Sequence, residues 1–248
     1  MYLSVIIPSY NEEKRLPKTL EEINGYLSRQ EYPSADSGQA DYEIIVVNDG
    51  SKDRTAEVCI NLASKIKNIK LIDNKINQGK GAVVRQGMLE AKGDYRIFTD
   101  ADNSTSINQI EKMWPELGKG FDIVIGSRDI KGAVLDPPQP WIRSVILGEG
   151  FKLFRKLVVG LWRIQDTQCG FKCFKKEAVE AAFPVCKINR FAFDPEILII
   201  AGKLGYKIKE VPVYWKNDPD SKVKPKWIIN MAIDLFKIRW NLIKGIYG

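Results

Sequence analysis

The sequence predicts an α/β protein, with one mostly parallel sheet covered by helices on both faces. Two observations carry this reading. Short β-branched runs alternate with segments of helical periodicity. Polar turns fall at the carboxyl ends of those runs, where sheets of this kind bind their ligands. Leu3 to Ile7 is the first run, stopped by Pro8 and followed by a turn at Ser9, Tyr10 and Asn11. Glu12 to Leu27 reads as a helix, because Leu16, Leu20, Ile23 and Leu27 recur at spacings of four, three and four. Residues 31–41, rich in Ser, Asp, Pro and Gly, read as a surface loop. Glu43 to Asn48 is the second strand and Asp49-Gly50-Ser51 a turn. Asp53 or Ser51 is placed to cap a helix with Ala56, Cys59, Ile60 and Ala63 on one face. Ile69 to Asp73 is the third strand, and Gly79-Lys80-Gly81 opens a helix running to about Ala91. Tyr95 to Thr99 is the fourth strand, ending at Asp100-Ala101-Asp102. Ile107 to Leu117 suits a helix, and Asp122 to Gly126 a fifth strand that leads into Ser127 and Arg128.

Composition narrows the function classes. The chain has 248 residues, 44% hydrophobic and 28% charged, enough for one large domain or two small ones. That balance excludes wholesale disorder and collagen, coiled-coil or disulfide-scaffold architectures. The longest stretch without Asp, Glu, Lys or Arg is the 11 residues from Met1 to Asn11. A spanning helix needs ~20 apolar residues, so none is expected here. Nor is a signal peptide expected, since no basic start precedes a separate apolar stretch. Cys59, Cys169, Cys173 and Cys186 form no CxxC pair, which suits a reducing compartment. The chain has no His, which excludes Ser-His and Cys-His nucleophile pairs and His-ligated zinc. Residues 1–130 hold 17 Lys/Arg against 20 Asp/Glu, whereas residues 131–248 hold 21 against 11. A basic second half points to an anionic partner, either nucleic acid or a membrane surface; a solvated basic face is the plain alternative.

Asp100 and Asp102 are the sharpest chemical signal. Two carboxylates one residue apart in an extended segment point the same way and can share Mg2+ or Mn2+, which in turn can bridge to a diphosphate. The same pattern also serves as a turn or helix cap; the convergence of other polar turns on the same rim favours the metal. Gly79-Lys80-Gly81 can approach phosphate with its backbone N–H groups, or can be a simple helix start. Neither GxxxxGK[ST] nor GxGxxG is present.

Five segments, taken together, resemble glycosyltransferase family 2. They are Ser4–Glu12, Val47–Asp53, Asn77–Gly81, Asp100–Asp102 and Gly126–Arg128, in that family's order and spacing, within a likeness covering roughly residues 1–215. Asp166–Lys172 resembles the dolichyl-phosphate β-glucosyltransferase branch, and Phe191–Asp194, Glu210–Val213 and Ser221–Val223 match the polyprenyl-phosphate sugar synthases more widely. The resemblance implies a GT-A fold, placed over residues 1–220; residues 221–248 read, from their own periodicity, as an amphipathic helix. It implies a nucleotide-sugar site at Pro8, Tyr10, Glu12, Asp49, Lys80, Asp100, Ala101 and Asp102. Within it Tyr10 would pack on the base, Glu12 would accept from the ribose and Asp49 would read base or ribose. Asp100 and Asp102 would hold the metal. The mannosyl relatives place a further metal ligand, Gln, where this chain has Ser104, which makes Ser104 the candidate third ligand. Arg128 and Lys222 would hold the acceptor phosphate. Asp166 falls at a position sometimes treated as a base, with helix capping or the orienting of a cation as alternative roles.

The implied reaction is inverting, metal-dependent transfer of glucose from UDP-glucose to a polyprenyl phosphate. A GDP-mannose donor and a different acceptor are the alternatives within the family. A processive polysaccharide transferase would carry Gln-x-x-Arg-Trp, but Phe236 opens Phe-Lys-Ile-Arg-Trp here. A nucleic-acid module is not expected, since no aromatic-and-basic RNA motif or zinc spacing is present. A nucleotidylyltransferase would need a Gly-rich, Arg-containing loop after the first strand, and Pro8 to Glu13 is not one.

Two stretches suit peripheral contact with the cytoplasmic face of a membrane. From Lys226 to Lys244 the polar residues Lys226, Asn230, Asp234, Lys237, Asn241 and Lys244 form one narrow helical stripe beside a wide apolar face that includes Trp227, Phe236 and Trp240. Between Trp141 and Arg163, Glu149, Lys152, Lys156 and Arg163 repeat the pattern. Packing on the sheet or on a second copy is the alternative.

Overall fold

The structure, a computed structural model, describes residues 1–31, 41–138, 149–217 and 225–247. The sequence readings that fall on residues 32–40, on the Trp141 end of the second amphipathic stretch, on Ser221–Val223 with Lys222, and on the 220/221 boundary lie outside the described residues.

The first five strands are β1 (Leu3–Ser9), β2 (Tyr42–Asp49), β3 (Ile69–Asn74), β4 (Tyr95–Thr99) and β5 (Ile123–Ser127). Between them lie α1 (Leu16–Leu27), α2 (Thr55–Ala63), α3 (Lys80–Glu90) and the short α4 (Trp114–Gly118). The second half adds β6 (Val134–Asp136), α5 (Gly150–Val159), β7 (Phe171–Lys175), α6 (Lys176–Ala182), α7 (Phe193–Lys203), β8 (Ile208–Pro212), β9 (Tyr214–Lys216) and α8 (Pro225–Ile243). Seven strands form the main sheet in the order β3-β2-β1-β4-β7-β5-β8. All neighbours are parallel except β7, which runs antiparallel between β4 and β5. β6 and β9 form a separate parallel pair.

Alternation along each strand sends side chains to two cores. On β1, Ile6 enters a cluster with Val83, Met88, Phe98 and Phe174, while Val5 and Ile7 enter the opposite one with Leu16, Leu20 and Ile23. The βα rhythm and the mostly parallel sheet expected from the sequence are present.

Several boundaries differ from the sequence reading, each for a physical reason. Pro8 does not stop β1, which runs on to Ser9 with Pro8 opposite Val47. Pairing with β4 ends at Ile6, so Pro8 has a strand on one side only and its missing N–H is tolerated. Ile107–Lys112 is a 3-10 turn, and α4 starts only at Trp114. Pro115 supplies no N–H to continue a helix from the preceding turn. Ile60, expected on the inner face of α2, is exposed, and Thr55 and Cys59 are the buried positions.

The amphipathic helices sit otherwise than a polar stripe facing water. On α8, Asp234 is buried beside Arg190, and Met231, Leu235 and Ile238 enter the core. Ile229, Ile233, Phe236, Trp240 and Ile243 face outward. The wide apolar face is divided between the protein interior and the surface. α8 packs on α5, with Phe154 and Phe236 in edge contact at 5.5 Å, and α5 presents Leu153 and Leu157 outward.

Candidate active site

The carboxyl ends of β1, β2 and β4 and the start of α3 converge on one rim. After β1, Asn11 adopts φ 56° and its N–H donates to Ser51 Oγ (2.9 Å), while Lys52 N–H donates back to Asn11 Oδ1 (2.8 Å). Glu12 N–H donates to Thr55 Oγ1 (2.8 Å). Asp53 accepts the Thr55 N–H (3.0 Å) just before α2, whose N-cap position is Arg54 and carries no side-chain cap; Ser51 instead ties the first two loops together. Arg15 holds the Glu12 carboxylate at 2.7 and 2.9 Å, and Tyr10 is exposed at the rim.

Asp49, at the tip of β2, is buried and accepts Gln78 N–H (2.6 Å) and Gly79 N–H (3.0 Å). It thereby shapes the entry to α3. Burial raises its pKa, and these two N–H groups work against the rise. Lys80, the first residue of α3, reaches Asp100 Oδ1 at 2.5 Å. Burial opposes its charge, but Asp100 and Asp194 outweigh burial and raise its pKa.

Past β4, Asp100, Ala101 and Asp102 form the acidic tip. The Ala101 carbonyl accepts Thr19 Oγ1–H (2.8 Å), which fixes the backbone between the two acids. Ser104 N–H donates to Asp102 Oδ1 (2.9 Å), so Ser104 stands behind Asp102 as a support. Asp100 packs flat on Gly170: a Cβ at that position would lie 2.0 Å from Asp100 Oδ2. Only glycine allows β7 to approach so closely.

A second cluster lies next along the rim. Arg128, just past β5, donates to Asp166 three times, from its N–H (3.0 Å), Nε (2.7 Å) and Nη2 (3.0 Å), and its guanidinium lies 4.7 Å from the Trp215 ring centre. Burial alone pushes the Asp166 carboxyl up; the Arg128 charge and these hydrogen bonds prevail and hold it well below the usual carboxylate range. Such a carboxylate is a weak base and a strong orienter of its arginine. Asp166 N–H and Gln165 N–H are held by Glu210, and buried Arg155 donates to the carbonyls of Ile164 and Gln165.

Behind both clusters lies a buried pair, Lys172 on β7 and Asp194 on α7. Lys172 Nζ reaches Asp194 Oδ1 at 2.6 Å and also donates to the Cys169 carbonyl. Burial raises the Asp194 pKa against the pull of Lys172 and Lys80. Sequence reasoning assigned no role to Lys172, Asp194, Gly170, Arg155 or Trp215. The available signal was a lysine inside an otherwise apolar strand, Phe171–Phe174.

The acidic tip suits a divalent cation. Burial and the charge of Asp100 raise the Asp102 pKa even with Lys80 nearby, a repulsion that a cation would relieve. No three Cys, Asp or Glu side chains gather into a metal site among the described residues. Two carboxylates completed by donor phosphates fit Mg2+ or Mn2+. The four cysteines are free and buried, and burial pushes the thiols of Cys59, Cys169 and Cys173 up to about 12, so none is poised as a nucleophile.

This sheet order with an acidic tip beyond β4 is that of a GT-A glycosyltransferase. Residues 4–183 match the model of glycosyl transferase family 2, and the chain belongs to that family. It is 40% identical over 243 residues to a dolichyl-phosphate beta-glucosyltransferase of Trichomonas vaginalis, covering 96% of this chain and 73% of that one. With the human dolichyl-phosphate beta-glucosyltransferase the identity is 35% over 259 residues, covering 99% and 77%. Among solved structures, glucosyl-3-phosphoglycerate synthase from Mycobacterium tuberculosis, in complex with Mn2+, UDP and phosphoglyceric acid, superposes with a TM-score of 0.65 at 17% identity, over 100% of this chain and 78% of that one. Staphylococcus aureus TarS with UDP-GlcNAc gives 0.58 at 16% identity, over 97% and 67%. These structural likenesses bear on the fold.

Proposed function

We propose that the protein transfers glucose from UDP-glucose to dolichyl phosphate or a similar polyprenyl phosphate, with inversion, at a membrane surface. The observation that carries this reading is the contact between Asp100 and Gly170. It places the acidic tip beside the Asp166–Arg128 pair, four residues upstream of that glycine, so donor and acceptor phosphates can meet on one rim. The names of the relatives supply the sugar and the lipid.

Pro8, Tyr10, Glu12 and Asp49 line the nucleoside end, and Lys80, Asp100 and Asp102 the diphosphate end. A phosphate monoester carries about −1.5 to −2 at neutral pH and is already nucleophilic. Its oxygen attacks the anomeric carbon from the face opposite UDP. The new C–O bond forms as the bond to the UDP β-phosphate oxygen breaks, and UDP leaves with the electron pair. No strong base is needed, which accords with the depressed pKa of Asp166. Asp166 orients Arg128, and the guanidinium edge not taken by Asp166 offsets repulsion between the phosphates. Bound Mg2+ or Mn2+, held by Asp100 and Asp102, would supply Lewis-acid stabilisation of the departing diphosphate. Lys222 keeps its place in the proposal as a second cation for the acceptor, on the resemblance alone.

A panel of sugar nucleotides with Mn2+ and short polyprenyl phosphates tests this. Lipid-linked glucose from UDP-glucose is expected, and a preference for GDP-mannose would reassign the donor.

Among the described residues no helix is long and apolar enough to cross a membrane. The outward residues of α8 and α5, with exposed Lys237 and Lys244 beside them, suit an interface with anionic lipid on the cytoplasmic side. Flotation with anionic vesicles is expected. Replacing Phe236 and Trp240 together by serine should weaken vesicle binding about tenfold or more, since each ring is worth ~1.5–3 kcal/mol when buried. Equal flotation of parent and variant would count against this face.

A further inference from the structure

We propose that Glu196 and Tyr247 are positioning residues of the donor site, holding segment 186–190 against the start of α3 and thereby tying α8 to Lys80. The inference rests on the donor reading above only for where Lys80 acts.

Glu196, on α7, has no exposed surface and no part in the mechanism. Its Oε1 accepts Lys187 N–H (2.9 Å) and the Tyr247 hydroxyl (2.6 Å), and its Oε2 accepts Ile188 N–H (2.8 Å). Tyr247 lies beyond α8, its ring in the core, and its oxygen also accepts from Asn241 Nδ2 on α8 (2.9 Å). Further back along α8, Asp234 takes Arg190 Nε and Nη2 at 3.0 and 2.6 Å. Segment 186–190 is therefore held by α7 through Glu196, which the Tyr247 hydroxyl backs, and by α8 through Asp234.

Its other side lies on α3. Asn189 O accepts Ala82 N–H (3.2 Å), and Arg85 donates to Cys186 O (3.1 Å) and Asn189 Oδ1 (2.9 Å). A Cβ on Gly81 would sit 2.6 Å from Ile188 O, so the two backbones touch with no side chain between them. The first turn of α3 carries Lys80, and its entry is fixed by Asp49. One five-residue segment thus separates the helix with the outward apolar stripe from the ammonium beside Asp100. Packed backbones do not stretch, so a shift of α8 is transmitted to Lys80.

Tyr247→Phe in the full chain removes the hydroxyl and keeps the ring; Tyr206→Phe, whose hydroxyl donates to the Glu177 carbonyl on an exposed surface, is the matched control. Two quantities are read: amide hydrogen exchange over residues 79–83 without ligand, and the Kd for UDP with Mn2+ by calorimetry. Tyr247→Phe is expected to speed exchange in that stretch and to weaken UDP binding about fivefold, with Tyr206→Phe changing neither. Unchanged exchange and Kd in Tyr247→Phe, or equal changes in both variants, would overturn the inference. If the parent itself fails to bind UDP, the donor reading falls, while the exchange comparison still decides the positioning role.

Discussion

Asp102→Ala is expected to lower glucosyl transfer by at least about two orders of magnitude while the chain stays folded. The reasoning is electrostatic. Asp102 is held in place by Ser104 N–H, and both burial and Asp100 push its pKa up. Its charge is therefore unfavourable to the folded protein by itself. Removing it relieves repulsion, so thermal stability should be unchanged or slightly higher. On the proposed mechanism, transfer loses a group that would hold the cation against the departing diphosphate. Melting curves with and without Mn2+ separate the two effects: the parent should gain stability from Mn2+ plus UDP, and the variant should not. An Asp102→Ala protein with parental turnover and no need for metal would remove the mechanism.

Lys172→Met is expected to cost about 3–5 kcal/mol of folding stability, the usual result of stripping one partner from a buried ion pair. Lys172 and Asp194 are both buried, at 2.6 Å, and the ammonium lies 5.2 Å from the Phe98 ring centre. Without Lys172, the Asp194 pKa, already raised by burial, rises further. A carboxyl whose folded pKa exceeds its unfolded value contributes most below the unfolded value, and that contribution is lost as pH rises through the folded one. The variant should therefore be relatively more stable at pH 5 than at pH 8 by denaturant unfolding. Adding Asp194→Asn removes the stranded charge and should restore much of the loss and flatten the pH response. If Lys172→Met alone unfolds like the parent at both pH values, the pair is not a structural one.

What the sequence made legible was local. A strand, its polar turn and the helix after it are written within a few residues, and so the first five strands and the tips at Asp49 and Asp100 are legible in the sequence. Contacts between distant segments could not. Arg128 and Asp166 stand 38 residues apart, and nothing in either neighbourhood says that one occupies the other. Lys172 lies in a short strand whose place between β4 and β5 follows from sheet topology. The polar stripe of α8 was visible, but the direction it faces depends on Arg190, which reaches Asp234 from 44 residues away. Helical periodicity defines faces and does not say which one meets water.

The antiparallel β7 also bears on how the chain is assembled during synthesis. β4 and β5 emerge early from the ribosome yet never touch, because a strand made some forty residues later must slip between them. A nascent chain that has reached residue 130 holds both aspartates of the tip but keeps an open edge on each of those strands, a target for wrong pairing. A fragment truncated there would be an aggregating intermediate and not a miniature nucleotide-binding protein.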